Sequence, residues 1–385
     1  MRALLLGVLV GSGLLLCACT IGAPDPTRTM GTTSHLDLTW QKVDLPAGLT
    51  PVTLTTDDTR VFIGAFSTGR PHPRILVGTD PATLRDVPLT PHSPYAFEGR
   101  WFQIIARDGR IDAIAGARGG AHGNYRWTTW SGTSTGVAEQ DQPFGVFGSY
   151  GAGDLAGMAY AGGSPVILGA WQSDLTGLDI ATWTRTGTRW ARQASTGTAL
   201  GSTADELVAA HAITSGGDGL VLSGSVTTLE PGSVTVVPAA WTSPDADGPW
   251  TRVVLSYALP GKSSTLAEAH AATCTPHQCI ISGAAGGHFT FWEVGGRTVT
   301  NPPGIPDIAV TENATVLAPL TIDGKDLFVV PSNDGTTLLQ RSGESWSLGE
   351  GPTGTPASAI LHGGEVWVVT TDAQGTGTLW RSRVA

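Results

Sequence analysis

Charge is the scarcest commodity in this chain: charged residues make up 14% of its 385 positions, and lysine occurs three times, as Lys42, Lys262 and Lys325. With 22 basic against 32 acidic residues the formal net charge is −10. No basic patch is available to grip a phosphate backbone, so nucleic-acid binding is excluded as a first reading. Low charge does not mean disorder, because 41% of the residues are hydrophobic, enough to bury a core. Cysteine is also sparse, at four residues. The chain has no Gly-rich phosphate loop, no Ser-centred nucleophile elbow and no H-E-x-x-H helix. Residues 116–123 are Gly-rich but lie between two expected strands with no helix following. The one long apolar stretch, Ala3 to Leu16, is too short to span a bilayer as a stable helix.

That stretch has a job of another kind. Arg2 supplies a positive n-region before it, and Leu16-Cys17-Ala18-Cys19 closes it. This segment resembles a bacterial lipobox: Leu at −3, a small residue at −1, and a Cys that is lipidated and becomes the mature N-terminus. The resemblance implies a signal peptide over 1–18, lipidation (palmitate) at Cys19, and a location on the extracytoplasmic face of the cell membrane. Cys17 stands where Ala or Ser is usual, and it cannot be the acceptor with bulky Leu16 before it. The Arg-over-Lys, Ala/Gly/Thr-rich usage resembles that of actinobacterial proteins. Residues 19–35, rich in Thr, Pro and Gly without periodicity, read as a flexible tether, long enough at ~3.3–3.6 Å per residue to reach ~55 Å.

From residue 36 to 385 the chain is organised around a repeat. Ala210 to Ser225 (A-H-A-I-T-S-G-G-D-G-L-V-L-S-G-S) is restated, at a fixed offset of 59 residues, by Ala269 to Ala284 (A-H-A-A-T-C-T-P-H-Q-C-I-I-S-G-A). Seven apolar runs recur at a similar period, passing through Gly64, Gly116, Gly169, Gly224, Gly283, Pro331 and Thr370. A second apolar stretch and a turn precede each run. A third strand marked by Trp130, Trp183, Trp241, Trp292 or Trp380 follows most of them, then a tight turn and a fourth strand. Four short strands repeated seven times predict an all-β fold, a seven-bladed β-propeller. The last unit stops after its third strand, and Leu38 to Val43 has the missing fourth-strand pattern, so the N-terminal strand is expected to seal the last blade. A β-helix needs shorter repeats, and two sandwiches would leave the period unexplained.

Against that frame the chemistry-bearing residues have assigned places. The repeated tryptophans are expected to fill the space between blades, while Trp127 and Trp171 break the pattern and are candidates for an exposed face. His211 and His270 share a register on the strand nearest the channel. They are candidate ligand contacts there, the alternative being a histidine satisfied by neighbouring backbone. Cys274 and Cys279 flank a hairpin and, in an oxidising compartment, read as a disulfide; a metal knuckle with His277 is the alternative, and it would want a fourth ligand. No metal or other cofactor is expected. Ser243-Pro-Asp245-Ala-Asp247-Gly248-Pro-Trp250 resembles the Asp-box of sialidase-like propellers at Ser243, Asp245 and Trp250. In that superfamily the box is a structural turn, so the resemblance implies the fold and carries no catalytic residue. The superfamily's Arg-Ile-Pro segment is absent, since Leu76 follows Arg74-Ile75, and no Tyr-Glu pair falls in register. The function expected is a lipid-anchored binding or scaffolding module whose partner is an envelope protein or cell-wall glycan. The alternative is a glycoside hydrolase or lyase using the acids of the inner turns, Asp57, Asp58, Asp108 and Asp323.

Overall fold

A computed structural model describes residues 33–69, 72–119, 123–217, 219–257, 266–296 and 298–384. The expected signal peptide, Cys17 and Cys19 lie outside them. The strands form seven sheets, each with an antiparallel four-stranded blade, arranged as a β-propeller. Blade 1 spans residues 49–86, blade 2 100–140, blade 3 152–192, blade 4 206–254, blade 5 267–300, blade 6 320–350 and blade 7 355–383. Every one of the seven repeated positions, from Gly64 to Thr370, falls on the second strand of its blade. The ring closes as the sequence predicts, over a shorter stretch. Gln41–Lys42 pairs antiparallel with the third strand of blade 7, Gln41 opposite Arg381 and Lys42 opposite Trp380, and the Val43 amide donates to the Leu379 carbonyl at 2.8 Å.

Two extra strands were not foreseen. Thr33–His35, inside the stretch read as tether, pairs parallel with the outer strand of blade 6, Thr33 opposite Trp346. Leu89–Thr90 does the same on blade 2. Both cover an outer edge that would otherwise present unpaired amides.

Packing follows the tryptophan pattern. Trp130, Trp183, Trp241 and Trp292 are buried and sit in the apolar clusters formed where neighbouring blades meet. Three of them solve their polar problem identically. The indole N–H of Trp183 donates to Val146, that of Trp241 to Ala199 and that of Trp292 to Ser256, each acceptor being a carbonyl in the connection that leads into the same blade. A large apolar body with one buried donor is thus matched to a connection that has a spare acceptor.

The motif that defines the repeat is a set of fasteners between blades. Thr214 donates its hydroxyl to Ala272 of the next blade, and Thr273, its equivalent, donates to Pro319 beyond. Ser223 donates to the His270 carbonyl and Ser282 to that of Leu317. The glycines that follow, Gly224 and Gly283, face the bulged first strand so closely that a Cβ would run into the carbonyls of Ala209 and Glu268.

Candidate functional site

Six of the seven innermost strands carry a β-bulge at one equivalent place, seen as a register shift against the second strand. The extra residue is Val52, Phe102, Ala156, His211, His270 or Ala357. Bulges re-aim side chains, and here they ring the inner edge of the propeller with side chains that are apolar except at blades 4 and 5. There His211 and His270 meet edge to face, ring centroids 5.9 Å apart, with Glu268 between them. Its carboxylate lies 3.8 Å from His211 Nε2 and 4.0 Å from His270 Nε2, and the His211 ring beside it holds that carboxyl below the ordinary carboxylate value.

The two histidines are not equivalent. His270 is 7% exposed, and its Nδ1 accepts the Val316 amide at 3.0 Å. A neutral imidazole that accepts at Nδ1 carries its proton on Nε2, so His270 presents a donor and has no lone pair left for a metal. Burial, with His211 nearby, pushes its pKa down to about 4. His211 is the exposed member and the one free to meet a ligand.

The acids considered for glycan chemistry sit at the other end of the strands. Asp58 has φ 68°, and Asp108-Gly109 and Asp323-Gly324 have positive φ at both positions, the geometry of tight hairpin turns. Asp57 accepts from the Thr59 hydroxyl and the Arg60 amide and guanidinium; these bonds hold its carboxyl below its usual value against a partial burial that works the other way. They are turn-forming residues of three different blades. Asp245 also does turn work: its carboxylate accepts the Asp247 amide at 2.9 Å, as an Asp-box would.

Sequence reading missed the most buried carboxylate. Asp112 of blade 2 receives the Tyr160 hydroxyl at 2.9 Å, Arg185 Nη1 at 2.8 Å and Arg110 Nε at 2.7 Å. Tyr160 and Arg185 belong to blade 3, so this is a polar clamp between blades. Burial pushes the Asp112 carboxyl up, against the pull of its hydrogen bonds and of Arg110, and pushes the Tyr160 hydroxyl up as well. A second cluster has donor atoms close enough for a cation: His92, Glu139 and Asp141. Glu139 is already saturated, accepting the His92 amide at 2.6 Å, the Ser93 amide at 2.7 Å and the Ser93 hydroxyl at 2.6 Å. Its role is to brace the one-turn helix Pro94–Phe97. Cys274 and Cys279 are joined as a disulfide across the hairpin of blade 5.

The two ends of the barrel differ sharply in apolar exposure. One end holds the hairpin turns between first and second and between third and fourth strands. The other, here the connection face, holds the blade-to-blade connections and the second-to-third turns. Among the described residues, ten large apolar side chains are exposed, and all ten lie at the connection face. Phe97, Phe144, Tyr150 and Leu266 come from connections; Leu175, Leu178, Leu229 and Val234 flank turns; Phe102 is a bulge residue and Val254 ends an outer strand. Trp127 and Trp171 prove half-buried, Trp127 against Phe102 and Tyr125 and Trp171 between Trp183 and Arg192.

No protein-family model matches the chain, and neither does any curated protein. Solved structures do resemble it. The extracellular domain of a hybrid two-component system from B. thetaiotaomicron aligns over 89% of this chain and 40% of its own, with 11% identity and a TM-score of 0.53. Polysaccharide lyase Uly1 aligns over 86% of this chain and 89% of its own, at 9% identity and a TM-score of 0.51. The β-propeller domain of the Trilobed protease from Pyrococcus furiosus, which has an open velcro topology, covers 86% and 95% at 10% identity and a TM-score of 0.50. At these identities the likeness shows the β-propeller fold alone. An extracellular domain, a polysaccharide lyase and a protease domain stand side by side among these neighbours.

Proposed function

We propose that this chain is a contact module of the cell envelope: a propeller held at the outer membrane face by a lipid on Cys19, with its connection face as the docking surface for an envelope protein or wall glycan. The observation that carries this is the confinement of every exposed large apolar side chain among the described residues to that face. Exposed apolar patches mark interaction sites, and connections on a rigid ring are where such folds place contacts. The acids that an enzymatic reading would need are engaged in turn geometry at the opposite end.

The test is site-specific photo-cross-linking in cells, with the probe at Leu175 or Val234 on the connection face and at Glu344 on the hairpin face. Cross-links to envelope material from the first two positions alone are the expected result, and cross-links from Glu344 alone would refute the reading. Replacing Cys19 by Ala is expected to move the protein from the membrane fraction to the medium. Retention in the membrane fraction would remove the lipid from the account.

A further inference from the structure

As in blades 3, 4 and 5, the outer strand of blade 2 covers only part of the third strand. Gly136–Gln140 pairs with the third strand only from Thr133 back to Thr129, leaving residues 124–128 without an outer neighbour on that side. The connection that follows folds past this gap and leaves a cleft of about 390 Å³, walled by Tyr95, Arg126, Trp127, Asp141 and Phe144. That volume lies within the ~300–1,000 Å³ typical of small-ligand sites.

Arg126 is the cation lining the cleft. Seven other arginines, Arg110 and Arg185 among them, each hold a carboxylate. Arg126 has no ion pair among the described residues; its guanidinium lies over the Phe144 ring, 4.7 Å from the centroid. Stacked in this way, a guanidinium keeps its planar fork of N–H donors at its edge, free for a bidentate acceptor. Arg118 stands opposite Tyr125 on the neighbouring strand, and both it and Arg100 act through space on the Tyr125 hydroxyl. The facing acids are Glu139, whose carboxylate accepts from His92 and Ser93, Asp141, whose carboxylate lies 3.3 Å from His92 Nδ1, and Asp154.

Aromatic rings continue from the cleft toward the channel lip. Trp127 contacts Tyr125 at 4.5 Å and Phe102 at 5.5 Å between centroids, and Phe102 is the exposed bulge residue of blade 2. Phe144 is 61% exposed. A row of rings beside an unpaired guanidinium offers apolar faces for the C–H faces of sugar rings and a fork for an acid group.

From this geometry we infer that the cleft and the aromatic row bind an anionic saccharide, its carboxylate or phosphate taken by Arg126 and its sugar faces by Phe144, Trp127 and Phe102. The inference rests on the connection face being the contact surface, and it names the ligand chemistry there.

Isothermal titration of the full chain with three probes tests it: oligogalacturonate as the carboxylate source, a glycerol-phosphate oligomer as the phosphate source, and a neutral oligogalactose. At least one anionic probe is expected to bind ten-fold or more tightly than the neutral one, and to weaken as salt is raised. Arg126→Gln is expected to lose ten-fold or more of that affinity, Arg126→Lys to recover part of it, and Phe144→Ala to lose several-fold with unchanged thermal melting. Absence of binding by both anionic probes, equal binding of the neutral one, or an Arg126→Gln affinity equal to the parent's would overturn the inference. If cross-linking at Leu175 and Val234 survives such a result, only the saccharide assignment falls; if cross-linking also fails, the contact-face reading falls with it.

Discussion

His270 is held neutral by its surroundings, and this makes the ring an acid-sensitive point in the fold. Its pKa drops from 6.5 to about 4 in the folded chain, so between those values the unfolded chain binds a proton that the folded chain refuses. Stability therefore falls as pH is lowered through that window and levels off below pH 4. At about 1.4 kcal/mol per pKa unit the loss is roughly 3 kcal/mol. Urea midpoints at pH 7 and pH 5 should separate for the parent and converge for His270→Asn, whose amide oxygen can still accept from Val316; equal separation in both would place the sensitivity elsewhere. Glycine shows the same locality. Gly224→Ala, which forces a Cβ into the Ala209 carbonyl, is expected to cost about 1–3 kcal/mol. Gly163→Ala meets nothing within 4 Å and should unfold at nearly the parent denaturant concentration.

At the scale of strands and blades, the joint between blades 2 and 3 depends on one buried carboxylate. Asp112→Asn would leave Arg185 and Arg110 facing a neutral group in a dry site, and removing one partner of a buried pair costs about 3–5 kcal/mol. A lowered melting temperature, with faster amide exchange in residues 152–161, is the expected outcome. Parent-like melting would show that the two arginines find other acceptors. This joint could not be read from the sequence, because Arg110, Asp112, Tyr160 and Arg185 come from three strands of two blades at no repeating interval. The repeat itself could be read, because Thr214/Thr273, Ser223/Ser282 and Gly224/Gly283 perform the same backbone-directed tasks in consecutive blades. Tryptophan was legible for the same reason. Leu89–Thr90 and Thr33–His35 were not, since strands of two or three residues are too short to show a period. The His211/His270 pair was placed on the correct strand by its register, but the bulge that turns those rings leaves no mark in the sequence, and the difference in burial between them comes from the connection into blade 6, where the Val316 amide meets His270. The cleft at Arg126 was invisible to motif reading because its walls come from two connections and two strands that share no sequence motif.

The whole ring is closed by very little chain. Two paired residues, the Val43 amide bond and the buried side chains of Leu36 and Val43 make the strand closure of blade 7, beside an apolar seam in which Leu54, Ile63 and Leu76 of blade 1 pack on Ile360, Trp367 and Val369. Val43→Pro, which removes the amide that donates to the Leu379 carbonyl, is expected to leave blades 2–5 protected while residues 377–383 lose hydrogen-exchange protection; uniform protection would show closure to be redundant. The parallel pairing of Thr33–His35 with blade 6 has a further consequence, for posture. Thr33 lies opposite Trp346, at the start of a strand that rises from the hairpin turn at Gly343. The folded domain is therefore entered from its hairpin end. Under the proposed lipid anchor at Cys19, attachment is to the end opposite Phe144, Tyr150 and Val234. The propeller would then stand on its hairpin turns like a flower on a stem, its apolar corolla facing away from the bilayer and toward whatever the cell has built outside it.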